Sequence, residues 1–373
     1  MHAYDCSLSF ATAERFRSND PLMSKLGQDA ASGKVTMRDV ARHARVAQST
    51  VSRVLSIGKE TNGGTGSVAI SQDTIQRVQE SIRELGYFPN LAARSLRGQK
   101  TQLIAVMIAD ISNPYYHQMV RRIQDIANEH RYDVLISNTD HLQENEQRFV
   151  EGIIRRPVDG VILVPYHLSS FEIEALMRRT GVAVVALGQH LESDQIDTVY
   201  GDDGTATHEA VTWLIRERGH KQIAFLGVPH TAPGERREQG YLQAMNDAHL
   251  HVPHEFVRSG DFSIESGERA MAQLLNLATP PTAVFACNDL MALGCMAEAR
   301  AHQKRVPEDV AVIGFDNIPE GTRHQPSLTT VAQFPHEMGE RLAAALFERI
   351  GGLKVASARR FRVPCKLIVR DST

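Results

Sequence analysis

The chain has 373 residues, 42% hydrophobic and 23% charged, with a formal net charge of −3. That apolar content excludes disorder throughout, the length predicts two or three domains, and no run approaches the roughly 18 consecutive apolar residues of a membrane helix. The charge is uneven: residues 34–100 carry 11 Lys and Arg against 5 Asp and Glu, and residues 101–373 carry 27 against 35, the balance expected of a small polyanion-binding module on a large acidic body.

Residues 1–33 show neither helical nor strand periodicity and read as a loose, flexible arm. They contain no apolar core of signal-peptide length, so a cytoplasmic protein is expected. From residue 34 the pattern tightens. Thr36 with Asp39 three residues on reads as a capping box, and Val40, Ala41 and Ala44 share one helical face. A break at Arg45-Val46-Ala47 leads into a second short helix through Ser49 to Leu55, so the pair predicts a helix-turn-helix. The Gly-rich stretch Gly58–Gly66 lacks a phosphate-cradle signature and a preceding strand, and reads as solvated loop. Ser71 caps a third helix with Ile75, Val78, Ile82 and Leu85 at 3–4 spacing, and Gly86 ends it. Residues 89–100 form a short helix-capable linker.

After Lys100 apolar runs of strand length alternate with amphipathic stretches. The runs are Leu103–Ala109, Val134–Ser137, Val158–Val164, Val182–Leu187, Ile223–Gly227, Ala283–Ala286 and Val310–Gly314. Such runs predict parallel strands buried on both faces, too many for one sheet of usual size, and hence an α/β body of two doubly wound lobes. Ligands of these sheets bind beyond the carboxyl ends of the strands. That draws attention to Asp110, Asn113, Asn288 and Asp316. Cys6, Cys287, Cys295 and Cys365 form no Cys-x-x-Cys pair, so neither a disulfide framework nor a cysteine zinc site is expected. His249, His251 and His254 read as a polar loop rather than a metal site. No hydrolase, zinc-protease or dinucleotide-cofactor motif is present, so neither an enzyme nor a cofactor is expected.

The segments Thr36–Ala41, Ser49–Leu55, Leu85-Gly86-Tyr87 and Pro89–Leu96 resemble the headpiece and hinge of the lactose/galactose repressor (LacI-GalR) family. The body adds Asn113-Pro114-Tyr115-Tyr116, Gly219-His220, Arg237 with Gly240-Tyr241, Asn288-Asp289, Gly314-Phe315-Asp316 and Leu328-Thr329-Thr330, so the resemblance spans residues 34–373. It implies an all-α helix-turn-helix headpiece at 34–88, a hinge at 89–100, and a periplasmic-binding-protein-like effector domain at 101–373. The first lobe would take about 101–202 plus 333–362, the second about 203–332 plus 363–373.

The same resemblance implies a homodimer on palindromic double-stranded operator DNA. The second headpiece helix would enter the major groove, with Gln48, Ser49 and Arg53 reading base edges. Thr50 and Ser52 would serve phosphates or packing, and Thr36 would also contact DNA. In the hinge, Asn90, Ala93 and Arg94 would contact DNA while Leu96 wedges between base steps of the minor groove. A sugar-like effector would meet Asn113, Tyr115, Tyr116, Arg237, Phe262, Asn288, Asp316 and Gln333, aromatic faces covering the ring and polar groups fixing its hydroxyls. Three departures stand out. Arg45 replaces the usual Gly of the turn, Ala47 replaces the usual Ser cap, and the loop from Gly58 to Ala69 is long. Gln189 also lies where sugar-binding relatives often carry Arg, and Asp202 is an open candidate for holding backbone or effector.

Overall fold

A computed structural model of the chain describes residues 35–57, 70–87, 100–353 and 357–373. Two compact units result, Met1–Ala93 and Arg94–Thr373. The hinge residues Asn90, Ala93, Arg94 and Leu96, the loop 58–69, the arm 1–33 and Cys6 lie outside the described residues.

In the first unit α1 (Met37–His43), α2 (Gln48–Ile57) and α3 (Gln72–Glu84) enclose a small core of Val40, Ala41, Ala44, Val51, Val54, Val78 and Tyr87. The Asp39 carboxylate accepts from both the Thr36 backbone N–H (2.9 Å) and its hydroxyl (2.6 Å), anchoring the start of α1. Between α1 and α2, Arg45 sits at φ 54°. A Cβ crowds the backbone in that left-handed conformation, and glycine would avoid the penalty. The Ser71 hydroxyl accepts from the Thr74 N–H (3.3 Å) and begins α3.

The second unit is built on two six-stranded sheets. The first-lobe elements are β1 (Leu103–Ile108), α4 (Pro114–Glu129), β2 (Asp133–Asn138), α5 (Gln143–Arg155), β3 (Gly160–Leu163), α6 (Ser170–Thr180), β4 (Ala183–Leu187) and β5 (Asp197–Gly201). The second-lobe elements are α7 (Asp203–Arg216), β6 (Ile223–Gly227), α8 (Ala232–Asp247), β7 (Val257–Ser259), α9 (Ile264–Leu275), β8 (Ala283–Ala286), α10 (Asp289–Ala301), β9 (Ala311–Asp316), α11 (Pro319–Arg323) and β10 (Thr329–Ala332). The chain then returns through α12 (Pro335–Ile350) and β11 (Arg360–Val363) to the first sheet, and ends with β12 (Lys366–Ile368) in the second. The orders are β11-β5-β4-β3-β1-β2 and β12-β10-β9-β8-β6-β7, every pair parallel except β10 with β12. The order therefore reverses at β1/β3 and again at β6/β8, the two points outside which a ligand can settle.

The expectation of strands buried on both faces holds for β1 and β3, but β2 is an edge strand with Leu135 and Ile136 exposed. The apolar-run reading also passed over β5, β7, β10, β11 and β12. In β5 the first residue is Asp197, fully buried and bound by Arg349 (2.6 and 2.8 Å) and Arg359 (2.7 Å). Burial alone would raise its pKa, but hydrogen bonds from the two guanidinium groups hold it down at about 2. Partners more than 150 positions distant along the chain thus let a charged residue enter an internal strand. One helix contact also prepares the site. A Cβ on Gly240 of α8 would collide with the Gly204 carbonyl of α7, so only glycine lets these helices meet as closely as they do. Among the described residues no helix is long and apolar enough to cross a membrane.

Candidate functional site

Helix α2 turns Val51 and Val54 into the headpiece core, and the same 3.6-residue period leaves Gln48, Ser49 and Arg53 exposed. Thr50 and Ser52 are half-buried, and Thr36 is exposed at the start of α1. The second helix therefore presents a polar face that begins at its first residue. An amide, a hydroxyl and a guanidinium there have the hydrogen-bonding capacity to read base edges or grip phosphates.

In the second unit the carboxyl ends of both sheets face a narrow cleft of about 60 Å³. Seven of the eight effector candidates line it: Asn113, Tyr115, Tyr116, Arg237, Phe262, Asp316 and Gln333. Asn113 is the N-cap of α4, its Oδ1 accepting from the Tyr115 N–H (3.0 Å), which sets Tyr115 and Tyr116 on the first turn. The Tyr116 hydroxyl bonds that of Tyr166 (2.9 Å). Arg237, 5% exposed, places its guanidinium carbon over the Phe315 ring at 3.8 Å from the ring centre and donates through Nη1 to the Cys287 carbonyl. Its Nε has no hydrogen-bond partner, the Asp203 carboxylate standing 3.6 Å away. Asp316 accepts from Gln333 Nε2 (2.7 Å). Burial pushes the Asp316 carboxyl up to about 6, against the pull of Arg237 and the Gln333 bond.

Asn288 is not part of the cleft wall. It is 1% exposed, caps α10 by accepting from the Met291 N–H (2.9 Å), and donates to the Phe262 carbonyl (3.0 Å). It thus braces a residue that does line the cleft. Asp202 does not line it either, and pairs with Arg362 at 2.6 Å. Gln189 does.

Sequence reasoning passed over Tyr166, His190, Asp203 and Arg236, all of which line the cleft. Tyr166 and His190 follow β3 and β4 closely, so the carboxyl-end rule could have found them. Asp203 follows β5, a strand that apolar runs do not reveal. It is 3% exposed and held bidentately by Arg236, Nε to Oδ1 at 2.8 Å and Nη2 to Oδ2 at 2.9 Å. Burial and the neighbouring Arg236 charge lower His190 to about 4, so its imidazole is neutral near pH 7.

The arrangement suits reversible binding of a polyhydroxylated ring. Aromatic walls cover its apolar face while paired cations and carboxylates offer directional bonds. The Cys287 thiol beside Arg237 is pushed up to about 11 by burial and is therefore a poor nucleophile. Among the described residues no group of three or more His, Cys, Asp or Glu could hold a metal ion.

Residues 36–90 match the model of bacterial regulatory proteins of the lacI family, and residues 214–373 match that of the periplasmic binding protein-like domain. The HTH-type transcriptional repressor CytR of Escherichia coli (strain K12) is 36% identical over 339 residues, covering 91% of this chain and 96% of that protein. Among solved structures, the lac repressor dimer bound to operator and the anti-inducer ONPF gives a TM-score of 0.75 at 27% identity, covering 91% of this chain and 99% of that one. A complex of the transcriptional regulator CelR with cellobiose gives 0.66 at 30% identity, covering 91% of this chain and 100% of that one.

Proposed function

Because the chain belongs to the lacI family of bacterial regulatory proteins, we propose that it is a cytoplasmic, homodimeric repressor of carbohydrate-related genes, released or recruited by a small sugar-like effector. It is a transcriptional regulator and not an enzyme. In this reading Gln48, Ser49 and Arg53 read base edges of a palindromic operator, while Thr36, Thr50 and Ser52 fix the helix on the backbone. Asn90, Ala93, Arg94 and Leu96 complete the contact in the minor groove. Asn113, Tyr115, Tyr116, Arg237, Phe262, Asp316 and Gln333 hold the effector, joined by Tyr166, His190 and Asp203. Apolar side chains left exposed on the edge strand β2, Leu135 and Ile136, favour burial against a second copy.

The observation that carries the reading is the polar face of α2, with Gln48, Ser49 and Arg53 outward on a three-helix unit. An effector shifts such a regulator only through its different affinity for the two lobe arrangements. Selection of bound fragments from a genomic library tests the proposal. Recovery of a two-fold symmetric motif supports it, and binding that shows no sequence preference in a salt-controlled titration refutes it.

A further inference from the structure

We propose that His141 is a positioning residue of the effector cleft: its ring, carried by the first lobe, stacks on Phe262 of the second and clasps the lobes together. The inference rests on the effector-cleft reading above. His141 follows β2, Tyr166 follows β3, and Phe262 lies between β7 and α9, so this contact joins the two sheets. The His141 and Phe262 rings are 5.0 Å apart and 28° from parallel, and Tyr166 meets both, at 5.0 Å and 5.8 Å. Phe262 and Tyr166 line the cleft, and His141 is not part of its wall.

The backbone on each side is held in a shape that side chains disfavour. Asp140 (φ 52°), His141 (φ 58°) and Phe262 (φ 68°) all occupy the left-handed region. Such conformations persist only where the surroundings over-determine them, and they gather at clamps and switches. The surroundings do so here. The Asp140 N–H donates to the Ala109 carbonyl (2.7 Å), and the His167 ring Nε2 donates to the His141 carbonyl (2.9 Å). Opposite, the buried Asn288 amide donates to the Phe262 carbonyl (3.0 Å) while its oxygen caps α10. The buried Nδ1 of His141 has no hydrogen-bond partner, so this nitrogen adds no bond to the clasp, which rests on the face of the ring. Asn288 acts on the cleft through this clasp, as the brace of Phe262. Its effect is to favour the closed arrangement before any effector arrives, so less of the effector's differential affinity is consumed in closure.

The test uses the full-length chain carrying spin labels at Gln147→Cys and Gln273→Cys, exposed positions of α5 and α9, diluted with unlabelled protein. Pulsed dipolar spectroscopy then reports the distance between the lobes with no ligand present. A single short distance is expected in the parent. His141→Ala should lower the ratio of closed to open by about tenfold, the scale set by one or two aromatic pairs. His141→Phe, which keeps a stacking face, should restore the short distance, a rescue that a general loss of packing does not predict. Phe262→Leu should open the lobes as His141→Ala does, and decides the matter if the latter fails to fold. Superimposable distributions for the parent and both opening variants would overturn the inference, as would His141→Phe behaving like His141→Ala. Because no ligand enters this measurement, such a failure leaves the effector reading standing; that reading fails instead if no sugar-like compound binds the cleft.

Discussion

Replacing Asp316 by Asn isolates the charge at the centre of the cleft, because the amide retains the shape and can still meet Gln333. The carboxyl is 6% exposed and is pushed up to about 6 from the ordinary 3.8 by burial. The sign follows from that direction. The folded chain holds this proton more tightly than the unfolded chain, so the proton's contribution to stability is complete below pH 4 and is lost as the pH rises through about 6. At pH 7 the ionised group therefore costs the ligand-free protein about 2–3 kcal/mol. Asp316→Asn removes that cost, and the body should melt several degrees higher at pH 7 but near the parent's temperature at pH 4. The effector responds oppositely. A carboxylate accepting hydrogen bonds from hydroxyls contributes about 1.5–3 kcal/mol, so the variant should bind at least tenfold more weakly. Parental affinity should fall about tenfold between pH 7 and pH 5, and the variant's should stay flat. Calorimetric titration with the sugar selected from a panel, alongside thermal melts at both pH values, measures both effects. A variant that melts at or below the parent's temperature at pH 7, or binds with the parental pH profile, would refute the reasoning.

Arg53→Ala should cost about 1–3 kcal/mol of specific operator affinity and relax the preference at one base position while effector binding stays unchanged, as read by anisotropy titration on single-base operator variants. Arg45→Gly relieves the left-handed φ of 54° and should stabilise the headpiece by about 1 kcal/mol, visible as a higher melting temperature of its transition. Gly240→Ala forces α8 away from the Gly204 carbonyl of α7. It should cost about 1–3 kcal/mol in a denaturant melt and weaken effector binding, because Arg236 and Arg237 ride on α8 against Asp203.

Much of this architecture is legible in the sequence because its elements obey local rules. Thr36, Ser71 and Gly86 mark helix ends, and the runs from Leu103 and Val158 are apolar because β1 and β3 are covered on both faces. The rest depends on residues far apart along the chain. Strand β5 begins with Asp197, whose burial is compensated by Arg349 and Arg359, and no local pattern announces that pairing. Missing β5 conceals Asp203, the carboxylate that orders the two arginines of α8. Tyr166 stands two residues beyond Val164 and was within reach of the carboxyl-end rule. His190, three residues beyond β4, was within reach as well, whereas the stacking of His141 on Phe262 was not, since the two rings come from loops of different sheets. Asn288 shows the converse limit: its place after β8 marks it for the cleft, yet its amide is consumed by the α10 cap and the Phe262 carbonyl.

In the proposed function one chain couples an operator-reading helix to an effector cleft. Coupling of this kind is reciprocal, so effector and operator must alter one another's affinity by the same factor, commonly between 5- and 150-fold. The direct measurement is a pair of titrations on the dimer, operator affinity with and without saturating effector and effector affinity with and without saturating operator. Equal factors, abolished together by Asp316→Ala, are the predicted result; an effector that occupies the cleft and leaves operator affinity untouched would contradict the claim.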